Sequence, residues 1–253
     1  MRILKKESIQ TGAWIILILF VWELSSRLGL TNQYLLPPFS QVFIRMLSEL
    51  SESKLALQVC NSLLVVIAGF VVSFSLAVFA TVLCTASKLI QSLCTALCTI
   101  LNPLPGIALL PLVMMWFGVN SGAMLFLIIH GVLWPLLANL LAGFHSVPTI
   151  YKDFARNIGL SPLKLVFNIL IFAIMPYFIS GIRIGWGRAW RALISAEMVF
   201  GMIGTLGGLG FYIYTNRAYA DITNVLVGVL IIVIIGIAMD QLFNLLERKT
   251  VKK

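Results

Sequence analysis

Ionisable residues are concentrated within one strongly apolar stretch, between residues 172 and 199. They are Arg183, Arg188, Arg191 and Glu197. Such a group costs at least about 2.5 kcal/mol at the centre of a bilayer unless it is paired or hydrated. Arg188 and Arg191 are about one helical turn apart, so their charges would face a common space. The pair indicates an anion or a water-filled path beside it; the alternative is hydrogen bonding to carbonyl groups of neighbouring helices, or extension to the membrane interface.

Backbone-breaking residues interrupt another apolar stretch, at Asn102-Pro103-Leu104-Pro105 and again at Pro111. A proline within a membrane span is tolerated where the freed backbone groups face protein or a water-filled cavity. The pattern therefore predicts that both sites break the helix and that this segment lines a cavity. A kink without a function is the alternative. Gly118–Gly122 is the expected turn before the next span.

A short polar segment separates two further apolar stretches. No Asp, Glu, Lys or Arg occurs from Leu89 to Tyr151, and then Lys152, Asp153 and Arg156 follow within five residues. A charged segment between two apolar stretches is exposed to water, so something in the water can bind it.

The same segment is predicted to form a short amphipathic helix between Thr149, a suitable N-cap, and Gly159, a suitable C′ residue. Asn157 would lie on the polar face of this helix, together with the charged residues named above. A helix of fewer than about three turns is too short to bind a membrane strongly by itself, so docking against a protein is favoured over an interfacial helix in the lipid headgroups. Its apolar face would carry Ile150, Tyr151, Phe154, Ala155 and Ile158.

The composition is that of a membrane protein. The chain has 253 residues, of which 60% are hydrophobic and 11% charged, and its mean hydropathy is +1.02. A water-soluble domain of this size could not bury so much apolar surface. Stretches of roughly 20 apolar residues predict an all-α protein of about six transmembrane helices in a single domain, 1–253. The predicted spans lie near 12–30, 57–86, 90–117, 122–144, 172–199 and 222–245.

The net charge of +9 is explained by the distribution of basic residues between the two sides of the membrane, and it does not indicate nucleic-acid binding. If the six spans are laid out from a cytoplasmic N-terminus, eleven basic residues lie on the near side and four lie on the far side, namely Arg27, Arg45, Lys54 and Arg217. The excess on the near side follows the positive-inside rule. It predicts that both termini and the loop 147–165 are cytoplasmic.

Signatures of catalysis and of cofactor binding are missing from the sequence. No G-x-x-x-x-G-K-[ST] or H-E-x-x-H motif occurs, so neither a P-loop ATPase nor a metalloprotease is indicated. Cys94 and Cys98 share a helix face without a second pair of ligands. His130 and His145 are isolated and are interpreted as structural or interfacial. We expect a non-catalytic chain that binds no metal or cofactor.

Several segments together resemble the permease subunit of a bacterial type I ABC importer, most closely the family that moves sulfonates, taurine, nitrate and related small compounds. The resemblance covers nearly the whole chain and depends on the order of its elements. These are Leu35–Ser40, Asn102–Leu112 with Trp116–Gly118, Asp153–Ala155 with Gly159 and Ile169, Pro176 and Gly181–Arg183 with Gly187–Trp190 and Ala196–Glu197, and Gly207–Gly210.

The resemblance implies the type I importer permease fold and a multi-pass location in the bacterial inner membrane. It identifies the segment within 147–165 as the coupling helix that docks on an ATP-binding subunit. The implied partners are a second copy of the chain in a homodimer, two ATP-binding subunits that use ATP and Mg, an extracytoplasmic substrate-binding protein and membrane lipid. The implied docking residues are Ile150, Tyr151, Asp153, Phe154, Ala155, Arg156, Ile158 and Gly159.

The resemblance also implies a translocation pathway. The candidates along it are Asn102, Pro103, Arg188, Arg191 and Glu197. The two neighbouring arginines favour an anion such as a sulfonate, taurine or nitrate as the substrate, whereas an uncharged or cationic vitamin precursor is the alternative within the same class. An ion-gradient-driven secondary transporter is the alternative from another class. It would need a carboxylate deep in the membrane, for which Glu197 is the candidate.

Overall fold

The computed structural model describes residues 2–52, 54–148, 150, 157, 159–161, 175–204 and 206–251. All regular secondary structure within these ranges is helical, which confirms the all-α prediction. The helices are α1 (Arg2–Arg27), α2 (Phe39–Glu52), α3 (Leu55–Ala86), α4 (Lys88–Leu101), α5 (Gly106–Phe117), α6 (Ser121–Ser146), α7 (Met175–Phe200), α8 (Leu209–Ala218) and α9 (Ile222–Val251).

Four of the six predicted spans correspond to helices that are long and apolar enough to cross a bilayer. Three are single helices within α3, α6 and α9, spanning Leu55–Cys84, Ser121–Ser146 and Ile222–Glu247. The fourth is the α4–α5 pair, if the two helices are counted as one bent span. α1 and α7 lie outside this set, and α7 carries four ionisable residues along its length. Six spans therefore stays a prediction.

The predicted break in the third span is present at the expected site. α4 ends at Leu101 and α5 begins at Gly106, and the axes of the two helices differ in direction by 101°. The second predicted break, at Pro111, is wrong because α5 continues through that residue. A proline removes one backbone donor and crowds the carbonyl group four residues earlier, which can kink a helix without ending it. Burial of Leu110 and Val113 on either side keeps the short helix packed against the core.

The core of the molecule lies between α6 and α7, whose contact is the most extensive, and α3 packs against α6. Two glycines of α7 permit this close approach. A Cβ atom added to Gly181 would lie 2.9 Å from a methyl carbon of Leu136, and one added to Gly185 would lie 3.1 Å from Val132. Small residues are expected at such helix contacts in membranes. Gly187 does not take part in this contact, because the atoms nearest to it belong to the side chain of Arg191.

The turn between α5 and α6 is present where the sequence predicts it. Gly118 has a φ of +73°, a left-handed conformation that favours glycine. Asn120 then caps α6, because its Oδ1 accepts a hydrogen bond from the backbone N–H of Ala123 at 3.0 Å. These two residues reverse the chain and place α6 beside the α4–α5 break.

Candidate functional site: a basic cavity at the α4–α5 break

A cavity of about 360 Å³ lies where α4 gives way to α5 and both approach α6 and α7. The break supplies one wall, a glycine and a histidine of α6 supply the second, and the polar face of α7 supplies the third. The cavity is lined by Asn102, Pro103, Leu104, Pro105, Gly106, Ile107, His130, Gly131, Arg188, Arg191, Ala192 and Ser195. Four of the five predicted pathway residues, Asn102, Pro103, Arg188 and Arg191, are thus brought together.

Arg188 is held in position by the broken span. Its Nη1 donates to the backbone carbonyl oxygen of Asn102 at 2.9 Å and to the side-chain oxygen of the same residue at 2.8 Å. Asn102 is the C-cap of α4, so its carbonyl oxygen is one of those that a helix end leaves without an intrahelical donor. Both acceptors are neutral, and the positive charge of Arg188 is therefore not cancelled by them.

Arg191 has a different environment. Its side chain is exposed, and within the described part of the chain no hydrogen bond or ion pair engages it. The position of a Cβ atom on Gly187 would lie 3.8 Å from both Nη atoms of Arg191, so the guanidinium lies over this glycine. The cavity consequently holds one anchored and one unengaged cation about a helical turn apart.

Arg183, the remaining arginine of α7, is neutralised by α9. Its Nη2 lies 2.6 Å from a carboxylate oxygen of Asp240, and its Nη1 donates to Asn244 at 3.0 Å. Arg183 does not line the basic cavity. Arg183 is therefore a structural partner of α9. For Arg188, the hydrogen bond to the carbonyl group of Asn102 is the contact that the sequence analysis gave as the alternative to an anion site, and it occurs together with a place in the cavity wall.

His130 is a residue of the cavity that the sequence did not indicate. It lies on α6, is 9% exposed, and neither ring nitrogen has a hydrogen-bond partner in the described ranges. Its ring meets that of Trp134 edge to face, with 6.3 Å between centroids. Because His130 and Arg188 are far apart in sequence, only the packing of α6 on α7 reveals that they share a cavity.

Glu197 is placed away from the other four predicted pathway residues. Its side chain is 2% exposed and accepts hydrogen bonds from Ser62 Oγ at 2.7 and 2.9 Å and from the backbone N–H of Gly210 at 2.7 Å. Ser62 Oγ in turn accepts from the N–H of Leu209 at 2.8 Å. Leu209 and Gly210 begin α8, so Glu197 meets the positive end of that helix. It also borders a separate cavity of about 230 Å³ beside Asn61.

Most of the predicted coupling helix lies outside the described residues. This applies to Tyr151, Asp153, Phe154, Ala155, Arg156 and Ile158. Two members of the predicted set are described. Ile150 is 70% exposed, and Gly159 has a φ of +69°, the left-handed conformation that a C′ glycine adopts.

Metal-ligand residues do not form a cluster in the described ranges: no three His, Cys, Asp or Glu side chains there are placed to hold an ion. Cys84, Cys94 and Cys98 are buried free thiols. The chemistry that the basic cavity offers is electrostatic, namely two guanidinium groups and neutral polar groups around a space suited to a small anion.

The family of the chain follows from comparison with known proteins. Residues 82–252 match the family described as binding-protein-dependent transport system inner membrane component. This match covers more than half of the chain and includes every residue of the basic cavity. The chain belongs to this family. It is a permease subunit of the ABC importer class, which confirms the membrane location, the type I permease fold and the non-catalytic character predicted from the sequence.

Individual relatives are named for small solutes. The chain is 28% identical over 197 residues to a nitrate import permease of Synechocystis sp., covering 78% of this chain and 70% of the relative. It is 27% identical over 191 residues to a bicarbonate transport permease of Synechococcus elongatus, covering 76% and 68%. It is 26% identical over 240 residues to a taurine transport permease of Escherichia coli, covering 92% and 85%.

Proposed function

We propose that this chain forms the translocation pathway for a small oxyanion in an ATP-driven importer, and that the anion passes through the basic cavity. The observation that carries the proposal is the unengaged guanidinium of Arg191 beside the anchored guanidinium of Arg188. A guanidinium presents several N–H donors in a planar fork, which suits carboxylate, sulfonate or nitrate oxygens.

The size and charge of the cavity both favour an anion. Its volume of about 360 Å³ is at the small end of the range for ligand sites, roughly 300–1,000 Å³. No Asp or Glu is among the described residues that line it. An uncharged or cationic substrate would therefore meet two uncompensated positive charges. The three relatives named above are assigned nitrate, bicarbonate and taurine, and each of these solutes carries an oxyanion group.

The architecture that we propose is a single transmembrane domain, 1–253, with six spans. These are α1, α3, the bent α4–α5 pair, α6, α7 and α9. Exposed apolar side chains on α1, such as Trp14, Ile16 and Ile18, support its contact with lipid. The charged residues of α7 are compatible with a span because its buried face packs on α6 and its arginines line a cavity or pair with α9. The distribution of basic residues supports cytoplasmic termini.

Energy coupling is assigned to the segment 150–159. The chain has no nucleotide-binding motif, so ATP and Mg would act on two separate ATP-binding subunits. One chain offers one such segment, and a pair of ATPase sites requires two, which supports a homodimer. The apolar residues Phe154 and Ile158 would insert into a groove of the ATPase, with Asp153 and Arg156 at its rim. A binding protein outside the membrane would deliver the substrate.

The surroundings of Glu197 argue against coupling to an ion gradient. This carboxylate is the sequence's candidate for proton or sodium coupling, and it bonds to Ser62 and to the start of α8, away from the basic cavity. A structural role at the N-terminus of α8 accounts for its burial without transport chemistry.

The test is uptake by the complete complex in proteoliposomes. The ligand retained by the purified binding protein is first identified by mass spectrometry, and its uptake is then measured with and without ATP. We expect an anion, imported only with ATP, at a rate that ionophores leave unchanged. Uptake that stops when ion gradients are dissipated, with ATP present, would refute the importer proposal.

A further inference from the structure

We propose that the space between α4 and α6 is an exit vestibule for the transported anion, and that a hydrogen bond between Gln91 and His145 is a latch at its inner end. This inference rests on the proposed function, since it concerns the path taken after the basic cavity. Here "inner" means the end nearest the predicted coupling loop 147–165.

The vestibule is a second cavity that adjoins the first. Its volume is about 290 Å³, and Asn102 lines both cavities. Asn102, which accepts the hydrogen bonds of Arg188, therefore lies at the boundary between the two cavities. The second cavity extends from this boundary along α4 and α6 as far as His145. Its other lining residues are Thr95, Cys98, Thr99, Ala138, Leu141 and Ala142.

The wall formed by α4 is polar but uncharged. Thr95, Thr99 and Asn102 recur at the spacing of one helix face, and both threonines are exposed. Their hydroxyl groups donate to the carbonyl oxygens of Gln91 and Thr95, at 2.9 Å in each case. The hydroxyl oxygens retain lone pairs that accept hydrogen bonds from water.

The absence of charge is the property that suits an exit. Residues 89–151 contain no Asp, Glu, Lys or Arg, so a hydrated anion in this space is neither held by a cation nor repelled by a carboxylate. Conduction requires binding that is strong enough for entry and weak enough for release. An anion that leaves Arg188 and Arg191 would pass into the water-filled vestibule, whose lining has no Asp, Glu, Lys or Arg side chain.

The latch joins the two helices that form the vestibule. Gln91 Nε2 on α4 lies 2.8 Å from His145 Nε2 on α6, at the end of the cavity remote from Asn102. The predicted coupling loop begins at Val147, two residues after His145. Movement of this loop would act first on the end of α6, and we infer that it breaks the bond and widens the inner opening.

The experiment measures thiol reactivity on the wall of α4. Cys60, Cys84, Cys94 and Cys98 are replaced by serine or alanine, and Thr99→Cys is introduced into the complete transporter complex in inside-out vesicles. The probe is the membrane-impermeant anion 2-sulfonatoethyl methanethiosulfonate. Ile100→Cys is the matched control, because Ile100 is 64% exposed but lies about 100° around the helix from Thr99.

We expect Thr99→Cys to react at least about tenfold faster than Ile100→Cys, since only the former lies in an aqueous space. Adding His145→Ala or Gln91→Leu should raise the rate at Thr99→Cys by a further factor of about five, and Thr95→Cys serves as a second reporter. Equal rates at the two positions would overturn the vestibule. The vestibule proposal would also be overturned if Thr99→Cys formed disulfide-linked dimers spontaneously and did not react with the probe. That result would mean that this face of α4 is a contact between two copies of the chain.

A fast rate that neither latch substitution changes would overturn the latch. These outcomes are separate from the proposed function, because uptake that depends on Arg191 can persist when the vestibule or the latch fails its test.

Discussion

The guanidinium of Arg188 on α7 contacts Asn102 at the end of α4 twice, through the backbone carbonyl oxygen at 2.9 Å and the side-chain oxygen at 2.8 Å. The break in the span creates the exposed carbonyl oxygen, and the arginine supplies its donor. The broken helix and the positive cavity are therefore parts of one arrangement. The arginine satisfies the free carbonyl oxygen at the helix break, and the break supplies hydrogen-bond acceptors for the arginine within the membrane domain.

This relationship gives a prediction that depends on the sign of the substrate's charge. Asn102→Asp keeps an acceptor for Arg188 but adds a negative charge to the cavity, so we expect the KM for an anion to rise at least about tenfold, which corresponds to about 1.4 kcal/mol. Asn102→Leu removes one of two acceptors without adding charge, and its effect should be smaller. The measurement is ATP-driven uptake in proteoliposomes at several substrate concentrations. A lower KM for Asn102→Asp than for the wild type would indicate a cationic substrate.

Glu197 is expected to act on stability. Glu197→Ala leaves Ser62 and the N–H of Gly210 without their buried acceptor, and an unsatisfied buried group costs about 1–3 kcal/mol. For a chain of this size the loss should lower the Tm by roughly 2–4 °C per kcal/mol. Glu197→Gln keeps an acceptor oxygen and should lose less. The measurement is thermal unfolding of the purified protein in detergent. A Tm for Glu197→Ala equal to that of the wild type would contradict this assignment.

Two glycines, one on α8 beside Glu197 and one on α9 in open space, offer a matched test of the packing of α8 on α7. A Cβ atom on Gly210 would lie 2.5 Å from the carbonyl oxygen of Ile194 and 2.6 Å from Cβ of Glu197, whereas one on Gly236 would meet nothing within 4 Å. Gly210→Ala should therefore lower the Tm. Gly236→Ala should leave it unchanged or raise it, because alanine favours a helix by up to about 1 kcal/mol over glycine. Equal shifts in both variants would mean that α8 does not pack on α7 as described.

Docking on the ATP-binding subunit should depend on one face of the segment 150–159. Phe154→Asp places a charge on the predicted apolar face and should abolish co-purification with the ATPase. Asn157→Asp adds the same charge to the predicted polar face, where Asn157 is exposed, and should retain co-purification with the ATPase. The double variant Phe154→Asp with Gly159→Pro should likewise fail to co-purify with the ATPase. Intact co-purification of Phe154→Asp would refute the docking assignment.

The sequence predicted features that depend on local rules. The break at Asn102–Pro105 follows from proline chemistry, and the turn at Gly118 follows from glycine's access to positive φ. The grouping of Asn102 and Pro103 with Arg188 and Arg191 was also predicted, because uncompensated charge and broken backbone both require a polar space within a membrane domain.

Features that depend on how helices pack were not predictable in the same way. Ser62 and Glu197 are 135 residues apart, and nothing in either local sequence indicates their contact. His130 was interpreted as structural or interfacial because no ligand neighbours it in sequence, yet the packing of α6 against α7 places it in the cavity. The continuity of α5 through Pro111 likewise depends on burial of its neighbours, which outweighs one lost hydrogen bond.

The most direct test of the proposed pathway is ATP-driven uptake by complexes that differ only at Arg191. Arg191→Ala removes the unengaged cation and should lower uptake of the identified anion at least about tenfold, whereas Arg191→Lys keeps the charge and should retain a measurable part of it. Co-purification with the ATP-binding subunit should be unchanged in both variants. Wild-type uptake by Arg191→Ala would contradict the account, because the anion would then cross without the basic cavity.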